Sequence, residues 1–133
     1  MLAVDIAIFI FSEHIFLLSK SRRYFYDYDK VRERTLDGKG HRSLRDVWKV
    51  HTKPYPEAHF AVYPKELILP CIKAGSQEFD TVLDPFSGSA TTGIVSLENN
   101  RNYIGCESNS AYIDLSQARL TKEVKTSFSF NRL

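Results

Sequence analysis

The stretch from Asp84 to Gly93 joins an acidic residue to a turn of small side chains, a pattern typical of nucleotide-like cofactor sites. A β-branched and apolar run, Thr81–Asp84, precedes the turn, and helix-forming residues follow from Thr91. Gly88 has no side chain, so a ligand can approach the backbone there. The helix N-terminus behind the turn offers unpaired N–H groups and a partial positive charge. The stretch therefore predicts a strand, a turn and a helix that hold a cofactor.

A second acidic residue, Glu107, follows the next apolar run, Asn102–Cys106. Dinucleotide-binding βαβ units place an acid about 20 residues beyond the first strand, where it accepts hydrogen bonds from ribose hydroxyls. The distance from Asp84 to Glu107 agrees with that spacing. The order of strand, turn, helix, strand and acid therefore predicts a bound nucleoside. A structural βαβ unit that binds nothing is the alternative that spacing leaves open.

A layered α/β unit must position these residues, and its elements can be predicted from periodicity and helix breakers. A helix is expected from Pro64 to Gly75, with Pro70 kinking it or stopping it early. Upstream, β-rich runs predict antiparallel strands at His14–Leu18 and Tyr24–Tyr26. The other predictions are strands at 4–11, 81–84 and 102–106, helices at 91–99 and 109–124, a weakly ordered loop at 27–46 and a disordered tail at 125–133.

Charge is unevenly distributed over the 133 residues, although the net charge is only +2. Residues 20–53 contain eleven Lys or Arg against five Asp or Glu, whereas residues 56–133 contain seven against nine. This basic segment, residues 20–53, predicts a polyanionic partner, and a solvated linker is an equal alternative. The aromatic residues Tyr24, Phe25 and Tyr26 could stack on bases there, or could simply pack in a sheet.

The length of the chain fits one domain with a modest core. Two isolated cysteines, Cys71 and Cys106, lack metal-site spacing and indicate buried thiols in a reducing compartment, so no metal is predicted. The apolar start, Leu2–Phe11, is too short to span a bilayer and contains Asp5. We therefore expect a cytoplasmic protein without a membrane partner. A signal peptide is the minor alternative, and the oligomeric state is left open.

Residues 14–120 resemble the C-terminal half of the beta-class amino DNA methyltransferases, which methylate adenine N6 or cytosine N4 with S-adenosylmethionine. Asp84–Thr92 is similar to the family's cofactor loop, DPFxGSGTT. His59–Leu67 is similar to its HPAxFPxxL segment, which lies against the methionine part of the cofactor. The resemblance implies an α/β, Rossmann-like S-adenosylmethionine-dependent methyltransferase fold that is incomplete, with a partial sheet and flanking helices.

The segment Asn102–Glu107, with Tyr112 and Arg119 after it, resembles the family's segment in which an acid binds the ribose. The resemblance therefore implies that Glu107 holds the ribose hydroxyls, because a carboxylate can accept from both at once. S-adenosylmethionine is the implied cofactor. The implied cofactor-binding residues are Tyr63, Pro64, Leu67, Asp84, Phe86, Ser87, Gly88, Ser89, Ala90, Thr91, Thr92 and Glu107.

Ala90 departs from the family pattern, which has glycine at this position of the loop. The added methyl group penalises a positive φ. If the position requires left-handed geometry or close contact with the cofactor, Ala90 weakens binding. If it is an ordinary position in the first turn of a helix, Ala90 is harmless, and the sequence leaves both outcomes open.

The family's catalytic loop, (D/S/N)-P-P-(Y/F/W), holds the target amine and stacks on the flipped base. No such tetrapeptide occurs in the sequence, where Asp84-Pro85 is followed by Phe86 and Ser87. We expect a truncated or split DNA N-methyltransferase chain with no catalytic residues, inactive alone, whose target base and recognition sequence are left open. A non-enzymatic DNA-binding module, or a subunit that needs a separate catalytic partner, is the alternative. Residues 1–55 are expected to form a strand-turn-strand and a short basic segment similar to a target-recognition region. Residues 56–124 are expected to form the S-adenosylmethionine-binding α/β region, and residues 125–133 a tail. Double-stranded DNA is the expected partner.

Overall fold

A computed structural model describes residues 14–51 and 62–124. These residues form an α/β arrangement with two small sheets. Its helices are α1 (Lys65–Gly75), α2 (Thr91–Glu98) and α3 (Ser110–Glu123), and a 3-10 turn covers Asp29–Val31. Its strands are β1 (Glu33–Arg34), β2 (His41–Arg42), β3 (Thr81–Asp84) and β4 (Asn102–Gly105). The predictions for residues 4–11 and 125–133, and the start of the segment at 59–67, lie outside the described residues.

Strands β3 and β4 pair in parallel and are joined by α2, which is the predicted βαβ unit. The observed elements from Thr81 onward agree with the predicted ones to within one residue at each end. Leu83 and Ile104 are directly paired across the two strands, and their exposed fractions are 62% and 54%. Parallel sheets are normally covered on both faces, so this face of the pair is unusually bare.

Helix α2 is the central element, because all residues from Thr91 to Ser96 are buried. Such burial on every side is typical of a helix packed among several partners. It packs against α1, β3, β4 and α3. The core cluster at its start is made of Ala90, Ile94, Leu120 and Val124, with Leu97 packed against it.

Helix α1 begins at Lys65, one residue later than predicted, with Pro64 in extended conformation as its N-cap. Of the two outcomes expected at Pro70, the early stop is wrong, since the helix continues to Gly75. The kink stays a prediction. A proline inside a helix costs roughly 3 kcal/mol through a lost hydrogen bond and a ring clash. Burial of Ile72 and Ala74, and packing of α1 against α2, offset that cost.

The upstream region differs most from the prediction. No strand forms at His14–Leu18 or Tyr24–Tyr26 among the described residues, and Phe16 and Leu18 are 78% and 87% exposed. A strand requires a partner for its N–H and C=O groups, and β-propensity alone does not supply one. The predicted loop at 27–46 instead contains the 3-10 turn and the short hairpin of β1 and β2.

Of the helices in residues 14–51 and 62–124, none is both long and apolar enough to cross a bilayer.

Candidate cofactor-binding site

The turn between β3 and α2 is held by hydrogen bonds at both ends. The Asp84 carboxylate accepts from the backbone N–H of Phe86 at 3.0 Å. The N–H of Ser87 donates to the carbonyl of Cys106 at 2.9 Å, which ties the turn to the end of β4. Gly88 has a φ of 51°, the left-handed conformation that glycine adopts without penalty. The turn is therefore a defined structure whose backbone is fixed beside the end of the neighbouring strand.

Ala90 has a left-handed backbone, with φ 60° and ψ 33°, which is the first of the two geometries that the sequence left open. Its effect on cofactor binding stays a prediction. Its methyl group is 1% exposed and belongs to the core cluster with Ile94 and Leu120. The position therefore has the geometry that favours glycine, while its side chain packs inward. The penalty of alanine here is conformational and does not come from a methyl group exposed on the outer side of the turn.

Glu107, the acid predicted to bind the ribose, lies against the turn. Its Oε2 accepts from the backbone N–H of Gly88 at 2.9 Å, and its Oε1 accepts from the N–H of Asn109 at 2.8 Å. The Asn109 N–H, with smaller contributions from those of Gly88 and Ser108, lowers the pKa of Glu107 below its ordinary value, although burial opposes this. Glu107 is therefore an anchored carboxylate that stays ionised at neutral pH.

Tyr103 of β4 packs between two glycines and contacts the turn. A methyl group added at Gly93 would lie 2.5 Å from its ring, and one added at Gly105 would lie 2.6 Å from its hydroxyl. That hydroxyl and Ser87 Oγ are hydrogen-bonded at 2.8 Å. Burial raises the pKa of Tyr103 to about 12, so the phenol remains neutral. The sequence predicted only that Tyr103 lies in a strand. Gly93, an isolated glycine within helix α2, was the available signal, because such a glycine often marks a close packing contact.

The segment before α1 approaches the other side of the turn. The Tyr63 hydroxyl and Thr92 Oγ1 are hydrogen-bonded at 2.5 Å, and Leu67 donates its N–H to the carbonyl of Pro64 at 3.0 Å. The structure thus brings Tyr63 to Thr92 across 29 positions of sequence. Phe86, another predicted site residue, is 88% exposed.

Arg119 of α3 is a further residue of this region, and the sequence offered only its place after the acid. It is 7% exposed, and its Nη1 donates to the Ser89 carbonyl (3.1 Å), to Ser89 Oγ (3.1 Å) and to Thr91 Oγ1 (2.9 Å). A buried guanidinium needs such acceptors, because leaving its N–H groups unpaired is costly. Arg119 therefore stabilises the turn through hydrogen bonds to the residues on both sides of Ala90.

Two cavities of about 480 Å³ lie elsewhere, beside the basic segment. One is lined by residues of the β1–β2 hairpin, and the other by Trp48 and its neighbours together with Glu66 and Pro70 of α1. Neither includes the turn or Glu107.

Comparison with known proteins identifies the family. A family model for N6 and N4 methyltransferases, described as DNA methylase, matches residues 11–118, so the chain belongs to this family. The chain is 49% identical over 111 residues to the Type II methyltransferase M.Cfr9I of Citrobacter freundii, covering 84% of this chain and 37% of that protein. It is 43% identical over 111 residues to the Type II methyltransferase M.SmaI of Serratia marcescens, covering 83% and 38%.

Among solved structures, the M1.HpyAVI complex with S-adenosylmethionine matches with a TM-score of 0.56 and 28% identity. The match covers 74% of this chain and 44% of that chain. The fold is therefore the Rossmann-like α/β fold of these methyltransferases, with a partial sheet, as predicted from the sequence. The chain spans well under half the length of the relatives named here.

Proposed function

We propose that this chain is the cofactor-binding part of an S-adenosylmethionine-dependent DNA N-methyltransferase. One observation carries the proposal: the ionised carboxylate of Glu107 lies within hydrogen-bond distance of the Gly88 amide, 19 positions away in the sequence. Dinucleotide-binding βαβ folds combine such a carboxylate with a glycine-bearing turn to hold a ribose. Family membership and the S-adenosylmethionine complex of M1.HpyAVI support the same ligand.

The residues present fit such a ligand. Each Glu107 oxygen accepts one backbone N–H in the described structure, and a carboxylate offers about four lone-pair sites. Capacity therefore remains to accept from ribose hydroxyl groups as well. Because backbone amides already fix the carboxylate, binding would order few further groups. The proposed cofactor-binding residues are the segment Tyr63, Pro64 and Leu67, the turn Asp84, Phe86, Ser87, Gly88, Ser89, Ala90, Thr91 and Thr92, and the acid Glu107.

The cofactor would supply an activated methyl group, so the protein's contribution is to bind and orient it. The catalytic tetrapeptide of the family does not occur within these 133 residues. We propose that methyl transfer needs polypeptide beyond them, in the same chain or as a separate catalytic subunit. Residues 56–124 would then hold the cofactor, and residues 1–55 would contribute to contact with double-stranded DNA in the cytoplasm.

The DNA partner, and the alternative of a DNA-binding module without enzymatic activity, have support in the basic segment. Lys20, Arg22 and Arg23 are exposed, and Tyr24 beside them is 53% exposed. Exposed cations beside an aromatic ring suit contacts with phosphates and bases. Other cations of the segment already pair with carboxylates, as Arg42 and Arg45 do with Glu33, which reduces the charge available to DNA.

Isothermal titration calorimetry of the purified chain with S-adenosylmethionine tests the proposal. Glu107→Ala should weaken binding about tenfold or more, because it removes hydrogen bonds to a charged acceptor. Glu78→Ala is the matched control, since Glu78 is an exposed carboxylate in a loose 4.0 Å pair with Lys30. It should leave the affinity unchanged. Equal affinities for the native chain and Glu107→Ala would remove the ribose role.

A further inference from the structure

Arg119 contacts the two residues that flank Ala90, the left-handed alanine of the turn. Its Nη1 reaches the carbonyl and hydroxyl of Ser89 and the hydroxyl of Thr91, at 2.9 to 3.1 Å. Ala90 lies between these two residues, with its methyl group in the core. An alanine does not choose left-handed geometry by itself, so surrounding contacts must impose it.

The guanidinium is itself held by a chain of charges that joins three helices. Arg119 Nε donates to Glu123 Oε1 at 2.7 Å, and Glu123 Oε2 pairs with Lys65 Nζ at 2.7 Å. Lys65 also pairs with Glu98 at 2.8 Å. Lys65 begins α1 and Glu98 ends α2, which are the helix ends where the dipole disfavours their charges. Their mutual pairing offsets this cost, and Lys65 also holds Glu123, the carboxylate that accepts from Arg119.

We propose that Arg119 is a positioning residue that imposes the left-handed conformation on Ala90 and so presents the Gly88 amide to Glu107. This inference rests on the proposed function, because the turn is where the cofactor would bind. Glycine adopts the left-handed conformation without help. Ala90→Gly should therefore make the turn less dependent on Arg119, whereas a purely structural brace would matter equally in both backgrounds.

A double-mutant cycle tests this dependence. Arg119→Gln should weaken S-adenosylmethionine binding about tenfold with alanine at position 90, and about threefold or less in the Ala90→Gly background. Arg101→Gln is the matched control. Arg101 is also 7% exposed and donates to Ser76 and Asn99, away from the turn. Its loss should have the same effect on affinity in both backgrounds.

A second readout uses the chain without cofactor, so that failure of the proposed function can be told apart from failure of this inference. The Ala90 N–H donates to the Ser87 carbonyl at 2.8 Å. Arg119→Gln should speed hydrogen exchange of this amide about tenfold, and Ala90→Gly should remove most of that increase. Equal effects of Arg119→Gln in both backgrounds would overturn the proposal. If Arg119→Gln does not fold, Arg119→Lys, which keeps the charge and loses the planar fork, takes its place in the cycle with the same criterion.

Discussion

At the residue scale, Ala90 shows how opposing effects of similar size meet at one position. Left-handed geometry costs an alanine roughly 1–2 kcal/mol. Replacing it by glycine removes that cost, but gives up roughly 0.8 kcal/mol of methyl burial and roughly 0.5–1 kcal/mol of backbone entropy. The methyl group is fully buried in the core cluster, so its contribution counts in full. The effects nearly cancel, which explains how the turn accommodates alanine.

Ala90→Gly should therefore change the free energy of unfolding by less than about 1 kcal/mol. Ala74→Gly is the matched control, because Ala74 is 5% exposed and lies within helix α1. It should lose about 2 kcal/mol, since no conformational strain is relieved there. Urea unfolding of the three proteins measures both values. Equal losses in the two variants would contradict the strain assigned to Ala90.

What the sequence could predict at this scale follows from the kind of information it holds. It located the departure at Ala90, and it placed Glu107 at the end of the strand next to the turn. It could not decide the φ of Ala90, because that angle depends on Arg119, which lies 29 residues further along the chain. Contacts of that range leave no local pattern to read.

At the element scale, the packing of β4 on α2 depends on the absence of a side chain at Gly93. The Tyr103 ring occupies the space that a methyl group would need, 2.5 Å from its position. Gly105 faces the same side chain from its own strand, at 2.6 Å from the hydroxyl. One aromatic ring thus sets the distance between the helix and the strand that carry the site.

Gly93→Ala should destabilise the chain by about 1–3 kcal/mol, because the ring cannot retreat from a packed core without strain. Gly75→Ala is the control, since nothing lies within 4 Å of its added methyl group and it belongs to helix α1. That change should be neutral or stabilise by up to about 1 kcal/mol through helix propensity. Thermal unfolding compares the two variants. A harmless Gly93→Ala would show that Tyr103 is loosely packed.

The elements that sequence reasoning predicted well are those with partners in the chain itself. From Thr81 to Glu123, apolar periodicity and the turn residues mark the elements, because β3, α2, β4 and α3 pack on one another. The segments His14–Leu18 and Tyr24–Tyr26 have a composition typical of strands. They form no strand, because no neighbouring strand pairs with them among the described residues. Pro70 is the opposite case: its local sequence predicts the end of a helix, but packing of α1 against α2 keeps the helix intact to Gly75.

At the scale of the whole molecule, the chain of charges from Glu98 through Lys65 and Glu123 to Arg119 links the helices to the turn. Burial alone would raise the pKa of Glu123, but hydrogen bonds from Lys65 and Arg119 hold it below the ordinary value of 4.5. A carboxylate whose pKa is lower in the folded state stabilises the fold above its unfolded pKa. That stability is lost as the pH falls through the folded value.

The native chain should therefore lose stability as the pH falls below about 5, and Glu123→Gln should show a shallower loss over the same range. Lys65→Met should also flatten the profile, because it removes one of the cations that depress the pKa of Glu123. Urea midpoints measured at several pH values give the slopes. Parallel profiles for all three proteins would show that this chain of charges does not govern acid stability.

The bare face of the β3–β4 pair has a practical consequence. Leu83 and Ile104 lie side by side there, each more than half exposed, and form an apolar strip. Burial of two such strips against each other would raise the entropy of the surrounding water. Copies of the chain should therefore associate through this face at high protein concentration. The chain should remain monomeric in dilute solution, or when a polar residue replaces Leu83 or Ile104.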